Sequence, residues 1–145
     1  MIRLATARRI IDAPIGQVWA VTSSFGTIQA WIPGITEVSI EGAGIGAVRT
    51  VTWQGATVRE QLTEIDADLH HVRYALHADV LVGLHAPRGG TDLTALDDGA
   101  TLIEWVSEAE ATNGDVSPMG AMLDDFMNAS IDGLARLLNA PMRPA

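Results

Sequence analysis

A chain of 145 residues, 48% of them hydrophobic and none of them cysteine, has the size and apolar content for one substantial core, and it excludes disulfides, thiolate metal sites and a cysteine nucleophile. A net charge of −9 with a pI near 4.6 leaves no basic surface to replace phosphate counterions, so nucleic acid is excluded as a partner. Every basic residue is an arginine, and the lack of lysine removes Schiff-base chemistry.

The opening "MIRLATARRI" alternates apolar and polar residues without the long apolar centre of a secretion signal, and no apolar run reaches the roughly 18 residues that cross a bilayer. A cytoplasmic protein with no membrane span is expected. Residues 2–12 read as a strand, with Ile2, Leu4, Thr6, Arg8 and Ile10 on one side and Arg3, Ala5, Ala7, Arg9 and Ile11 on the other; neither side is plainly the buried one. Asp12 is placed to cap a helix and Pro14 suits its first turn, after which Ile15, Val18, Trp19 and Thr22 share a helical face. "FGTIQAWIPG" predicts a second short helix that stops at Pro33-Gly34.

Short strands follow. "ITEVSIEG" alternates, and "GAGIG" lacks the strand–helix setting of a nucleotide loop, so it reads as a turn. "AVRTVTWQGATVREQL" (47–62) reads as a hairpin turning at Gln54-Gly55. A two-residue turn there sets Trp53 opposite Ala56, Val51 opposite Val58, Arg49 opposite Glu60 and Ala47 opposite Leu62, all on one face. That face is apolar except for Arg49 and Glu60. "HHVRYALHA" puts Val72, Tyr74, Leu76 and Ala78 on one side, and His71, Arg73, Ala75 and His77 on the other. Pro87 and Gly89-Gly90 are expected to interrupt any strand in "VLVGLHAPRGG" (80–90). "DLTALDDGATLIEWVSEAEA" predicts a hairpin turning at Asp98-Gly99.

The last element is a helix capped by Asp115 or Ser117 and opened by Pro118. Met119, Met122, Leu123, Phe126, Met127, Ile131, Leu134, Leu137 and Leu138 form its apolar stripe, and it ends near Asn139 with Pro141 beyond. At 1.5 Å per residue its roughly 22 residues extend ~33 Å, enough to cross a small sheet. Strands joined in series by hairpins make an antiparallel sheet, and a long amphipathic helix needs an apolar face to lie on. The order therefore predicts an α+β fold in which a curved sheet wraps the final helix. No repeat or linker divides residues 1–145, so a single domain is expected.

In this order and spacing the chain resembles the START-like, or helix-grip, superfamily (SRPBCC), which includes the birch-pollen-allergen fold, and within it the polyketide cyclase/dehydrase group. The resemblance is carried by "IDAPIGQVWAVTSSF", "WIPGI" at 31–35, "GAVRTVTWQGATVREQL" at 46–62, "YAL" at 74–76, "GATLIEW" at 99–105 and the final helix. It implies a seven-stranded antiparallel sheet gripping the last helix, two short helices after the first strand, and an internal cavity for a hydrophobic or amphipathic small molecule. Members include aromatase/cyclases, lipid carriers and hormone receptors, so the fold alone does not settle the function.

Arg49 and Glu60 are the first candidates for chemistry. Two charges on a cavity wall should pair, since one alone would cost several kcal/mol to desolvate, and an arginine fork suits a bidentate carboxylate. The pair is either a pin for hairpin register or a polar anchor: Arg49 would hold a carbonyl, enolate or carboxylate, and Glu60 would orient it or move a proton. Tyr74 shares the parity of Val72 and Leu76 and so faces inward, its hydroxyl free to meet a ligand or the Arg49–Glu60 pair. Val51, Trp53, Val58, Leu76 and Trp105 belong to the same wall, Trp31 to a cavity mouth, and Met122 and Phe126 to the helix side. The alternative for each of these is ordinary core packing. His77 and His85 would flank an entrance if the 80–90 segment folds over it, with His85 a candidate acid or base. No spacing of histidines matches a metal site, and no cofactor is expected.

Two functions fit these residues. One is a binding protein that carries, stores or senses a hydrophobic small molecule, as a monomer or homodimer. The other is a cyclase/dehydrase that folds a reactive chain in the cavity and promotes aldol closure and loss of water, with Arg49, Glu60 and Tyr74 as the catalytic set.

Overall fold

The computed structural model describes residues 1–77 and 83–145. The readings made for Ala78 and for residues 80–82 lie outside them. In chain order the elements are β1 (Ile2–Ile11), α1 (Ile15–Thr22), a 3-10 turn at Ile28–Ala30, β2 (Ile35–Glu41), β3 (Val48–Trp53), β4 (Ala56–Asp66), β5 (His71–His77), β6 (Leu84–His85), β7 (Arg88–Ala95), β8 (Thr101–Ala109), β9 (Ala111–Thr112), α2 (Ser117–Leu137) and β10 (Met142–Pro144). The main sheet is antiparallel with the order β10-β1-β8-β7-β5-β4-β3-β2, and β6 pairs with β9 in a separate two-stranded ribbon.

The inner face of β1 is the one bearing Ala5, Ala7 and Ile11, all buried. Its alanines are short because α2 lies against them. At the start of α2 a Cβ on Gly120 would come within 3.0 Å of the Leu4 carbonyl oxygen. The sheet grips the two halves of α2 differently. In the C-terminal half, Met127, Ile131 and Leu134 are wholly buried with Ile11, Val18 and Ile103 and fill the core. In the N-terminal half, Phe126 and Leu123 are only partly covered and Met122 is 41% exposed. Space is left there between helix and sheet.

Four local expectations are corrected. The sheet has eight strands rather than seven, because β10, which follows Pro141, pairs with the outer edge of β1; this pairing shields backbone groups that an edge strand would otherwise expose. The 80–90 segment does not lack strand structure: β7 begins at Arg88 and runs through both glycines, and Leu84–His85 forms β6. Asp12 does not cap α1. Pro14 occupies the cap position without a side-chain bond, and the Asp12 N–H donates to the Pro141 carbonyl, joining the start of α1 to the chain after α2. The residue at the cap of α2 is Val116, while Asp115 Oδ1 accepts the Ser117 N–H at 3.0 Å from one position further out. That backbone hydrogen bond holds the Asp115 carboxyl below the usual carboxylate range.

Candidate functional site

The β3–β4 hairpin builds the charged part of the site. Gln54 and Gly55 both have positive φ, 49° and 80°, the backbone of a type I′ turn, whose twist matches the strands it joins. A two-residue turn leaves no freedom of register, and Arg49 is set opposite Glu60 and Val51 opposite Val58. Arg49 Nε donates to Glu60 Oε1 at 2.9 Å. The second contact is not the other carboxylate oxygen that a bidentate fork would take: Nη1 donates to the Phe25 carbonyl at 2.9 Å. The guanidinium carbon lies 3.9 Å from the centroid of the Phe25 ring and 5.2 Å from that of Tyr74. With side-chain exposures of 7% and 13%, the pair is out of bulk water, and charge is balanced within it.

Tyr74 is held by three strands. It faces Leu62 on β4 and Gly89 on β7, and its hydroxyl oxygen accepts the Trp105 Nε1–H of β8 at 2.9 Å. A Cβ on Gly89 would lie 2.8 Å from that hydroxyl, so β7 carries glycine where the phenol crosses it. Burial, reinforced by the Glu60 carboxylate and opposed by Arg49, pushes the phenol well above the ordinary tyrosine range. Tyr74 is therefore a neutral hydroxyl at any physiological pH. Its proton meets no acceptor among the described residues.

Beside this cluster lies a cavity of about 230 Å³ between the sheet and the N-terminal half of α2. Arg49, Glu60 and Tyr74 form part of its wall. Val51, Trp53, Val58, Leu76 and Trp105 supply the apolar sheet side, and Met122 and Phe126 the helix side. Phe126 stacks edge-on between Trp53 and Trp105, with centroids 5.3 and 5.9 Å away. Met122, on the helix side, is itself 41% exposed.

Three candidates lie elsewhere. Trp31 is not at a mouth but buried behind the wall, its ring 5.7 Å from that of Trp105. His85 is on the β6–β9 ribbon with a side chain 75% exposed and Glu110 as its charged neighbour, and it does not line the cavity. His77 is likewise exposed, 3.4 Å from Gln61 Oε1. Trp31 lines a second chamber of about 20 Å³ on the far side of the Arg49–Tyr74–Trp105 wall, together with Thr22 and Thr91. Trp31 Nε1 and Thr22 Oγ1 are buried there without a partner among the described residues, and the chamber has the size of a single water site.

Other wall residues escaped the sequence reading. Ser107 shares the parity of Trp105 along β8, and that period of two was the available signal. Ile28, Ile32 and Ile35 close the cavity from the segment around the 3-10 turn, and their i, i+4, i+7 spacing was the available signal. The Phe25 carbonyl that fixes Arg49 has no sequence signature. Among the described residues no three histidine or acidic side chains gather as metal ligands, and no helix is long and apolar enough to cross a membrane.

The chemistry open to this arrangement is limited by what its groups already hold. Arg49 has spent Nε and Nη1 and Glu60 has spent Oε1 on each other and on the backbone. Proton transfer is most effective from a group that titrates near the working pH, and the Tyr74 phenol is displaced away from it. What the wall offers is apolar surface, neutral hydroxyls and the remaining Nη hydrogens and Oε2 of a pair whose charges already cancel.

A family model described as polyketide cyclase / dehydrase and lipid transport matches residues 3–139. No curated protein matches the chain. Among solved structures, the chain is similar to the protein XoxI from Bacillus cereus, with a TM-score of 0.80, 16% identity and 94% of each chain covered. It is similar to a protein from Nitrosospira multiformis, with a TM-score of 0.76, 18% identity, and 90% of this chain and 92% of that one covered. A protein from Thermobifida fusca gives a TM-score of 0.74 and 22% identity over 91% of this chain and 94% of that one. At these identities the likeness is one of fold.

Proposed function

The chain belongs to the family of polyketide cyclase / dehydrase and lipid transport proteins, and from that premise we propose that it binds a hydrophobic small molecule in the cavity between α2 and the sheet, as carrier, store or sensor. The observation that carries this reading is the mutual neutralisation of Arg49 and Glu60, with Arg49 also held by the Phe25 carbonyl, inside a wall that is otherwise mainly aliphatic and aromatic. Binding needs apolar walls and one orienting group, whereas turnover needs a proton donor and acceptor free to exchange.

Titration with the neutral probe N-phenyl-1-naphthylamine tests the reading, because Trp53 and Trp105 in the wall report on it by energy transfer. Saturable binding that is lost when Val58→Trp fills the cavity is the expected result. Binding unaffected by Val58→Trp, or no binding, overturns it. Native mass spectrometry of the protein isolated from its own host, followed by denaturing extraction, then names the molecule carried.

The cyclase/dehydrase reading is favoured by one observation, the Tyr74 hydroxyl proton left uncommitted at the cavity wall. In that case Glu60 moves the proton and Arg49 steadies the enolate. Glu60→Gln would then abolish turnover of a polyketide substrate while leaving its affinity intact, and unchanged turnover removes Glu60 from the mechanism.

A further inference from the structure

We propose that the cavity selects a compact, uncharged apolar molecule carrying a single hydrogen-bond acceptor such as a ketone or aldehyde oxygen, held by the Tyr74 hydroxyl, and that it discriminates against carboxylates despite containing an arginine. The inference rests on the cavity-binding reading and adds the chemical class of the ligand.

Charge decides against an anion. An arginine in a greasy pocket ordinarily suggests a carboxylate ligand, but here the cation is already matched. Its Nε is on Glu60, its Nη1 on a backbone carbonyl, and its guanidinium sits against the Phe25 ring. Glu60 lines the same cavity as Arg49, so an entering carboxylate would meet a negative charge beside the positive one and lose its hydration without a free counter-ion. The chain as a whole, at −9, also repels anions from the cavity mouth.

Hydrogen-bond accounting decides for an acceptor. The Trp105 N–H occupies an acceptor site of the Tyr74 oxygen, which leaves the phenolic proton to be donated. Gly89 keeps the phenol in place by offering no side chain beneath it. The hydroxyl of Ser107 is the other neutral polar group on the wall. A ligand acceptor placed at this end satisfies a donor that apolar contacts alone would leave unmatched.

Size sets the scale. A cavity of roughly 150 Å³ holds benzene, and drug-sized ligands occupy pockets of about 300–1,000 Å³. At about 230 Å³ the cavity falls between them, which suits a fused bicyclic ring and excludes a diacyl lipid or a full-length polyketide chain in this conformation.

Three probes of matched ring size test the proposal: naphthalene, 2-acetylnaphthalene and 2-naphthoate, titrated at pH 7.5 with tryptophan fluorescence as the readout. The expected order is the ketone about tenfold tighter than the hydrocarbon, with the carboxylate at least tenfold weaker than the ketone. Tyr74→Phe is expected to erase the ratio between ketone and hydrocarbon, and the wild-type ranking stands as a test even if that variant is unstable. If 2-naphthoate binds tightest, Arg49 is an anion anchor and the proposal is wrong. Equal affinities for ketone and hydrocarbon remove Tyr74 from recognition and overturn it as well. Failure of all three probes to bind goes further and overturns the cavity-binding reading itself.

Discussion

The sheet carries a charged cluster on each side, drawn from β3, β4 and β5 inside and from β4, β5 and β7 outside, and the two are built differently. On the inner side Arg49 and Glu60 are 7% and 13% exposed, with Tyr74 beside them. On the outer side His71 lies between Glu64 and Asp92, 2.6 and 2.7 Å from their oxygens, and Arg73 reaches Asp92 at 2.7 Å. Those side chains are 22% to 63% exposed. The outer cluster has more contacts, but water can replace each of them. The inner pair has one ion-pair contact and nothing to replace it. Burial, not the number of contacts, therefore sets what each cluster is worth. The adjacent glycines of β7 serve one cluster each: Gly89 makes room for Tyr74 inside, and Gly90 for Arg73 and the Val72 carbonyl outside.

The largest effect expected is that of Arg49→Met, which strands the Glu60 carboxylate in the wall. It should cost about 3–5 kcal/mol in urea unfolding. Adding Glu60→Leu should restore part of that loss, since no buried charge is left unpaired; a double variant as unstable as the single one would show that the pair is better solvated than its burial implies. Gly89→Ala is next, at about 1–3 kcal/mol, because its methyl group meets the Tyr74 hydroxyl and the Val106 carbonyl at 2.8 and 2.9 Å. The same variant should weaken binding of N-phenyl-1-naphthylamine, and a change in stability without any change in binding would separate Tyr74 from the ligand.

Asp92→Asn tests the outer cluster and should cost under about 1 kcal/mol at pH 7, as solvent screens these charges. Partial burial pushes the Asp92 carboxyl up, but hydrogen bonds from Arg73 and His71 together outweigh it and hold the group below its usual range. A depressed folded value means that the contribution is fully present above the unfolded value of about 3.9 and is lost as pH falls through the lower folded one. The difference between wild type and Asp92→Asn should hence hold down to about pH 4, near the unfolded value, and be lost only as pH falls further, through the lower folded value. The smallest effect is that of His85→Ala, which should leave both stability and probe binding unchanged; weakened binding would bring the β6–β9 ribbon into the site.

The features legible in the sequence are those governed by near neighbours. The turn residues Gln54 and Gly55 and the period-two alternation around them were enough to place Arg49 against Glu60, and the 3.6-residue stripe was enough to place Phe126 and Met122 on the sheet side of α2. Val51, Val58, Leu76 and Trp105 followed by the same alternation. Other features depended on residues distant in the chain. Gly89 and Gly90 look like strand breakers until Tyr74 and Arg73 are seen to occupy the space their side chains would fill. Trp31 reads as a cavity-mouth residue before Pro33-Gly34 until α2 closes over it; a Cβ on Gly133 would collide with the Trp31 carbonyl. The strand after Pro141 exists only because β1 has an edge to pair with.

The sequence by itself thus determined the fold class, the register of the charged hairpin and the apolar stripe of the last helix, because backbone periodicity and turn geometry are local. Only the tertiary structure decided that the Arg49 guanidinium is also held by the Phe25 carbonyl, that the Tyr74 proton is left over, and that the cavity lies against the N-terminal half of α2. Each of these depends on which distant groups come within about 3 Å of one another, and hydrogen bonding is decided at that range.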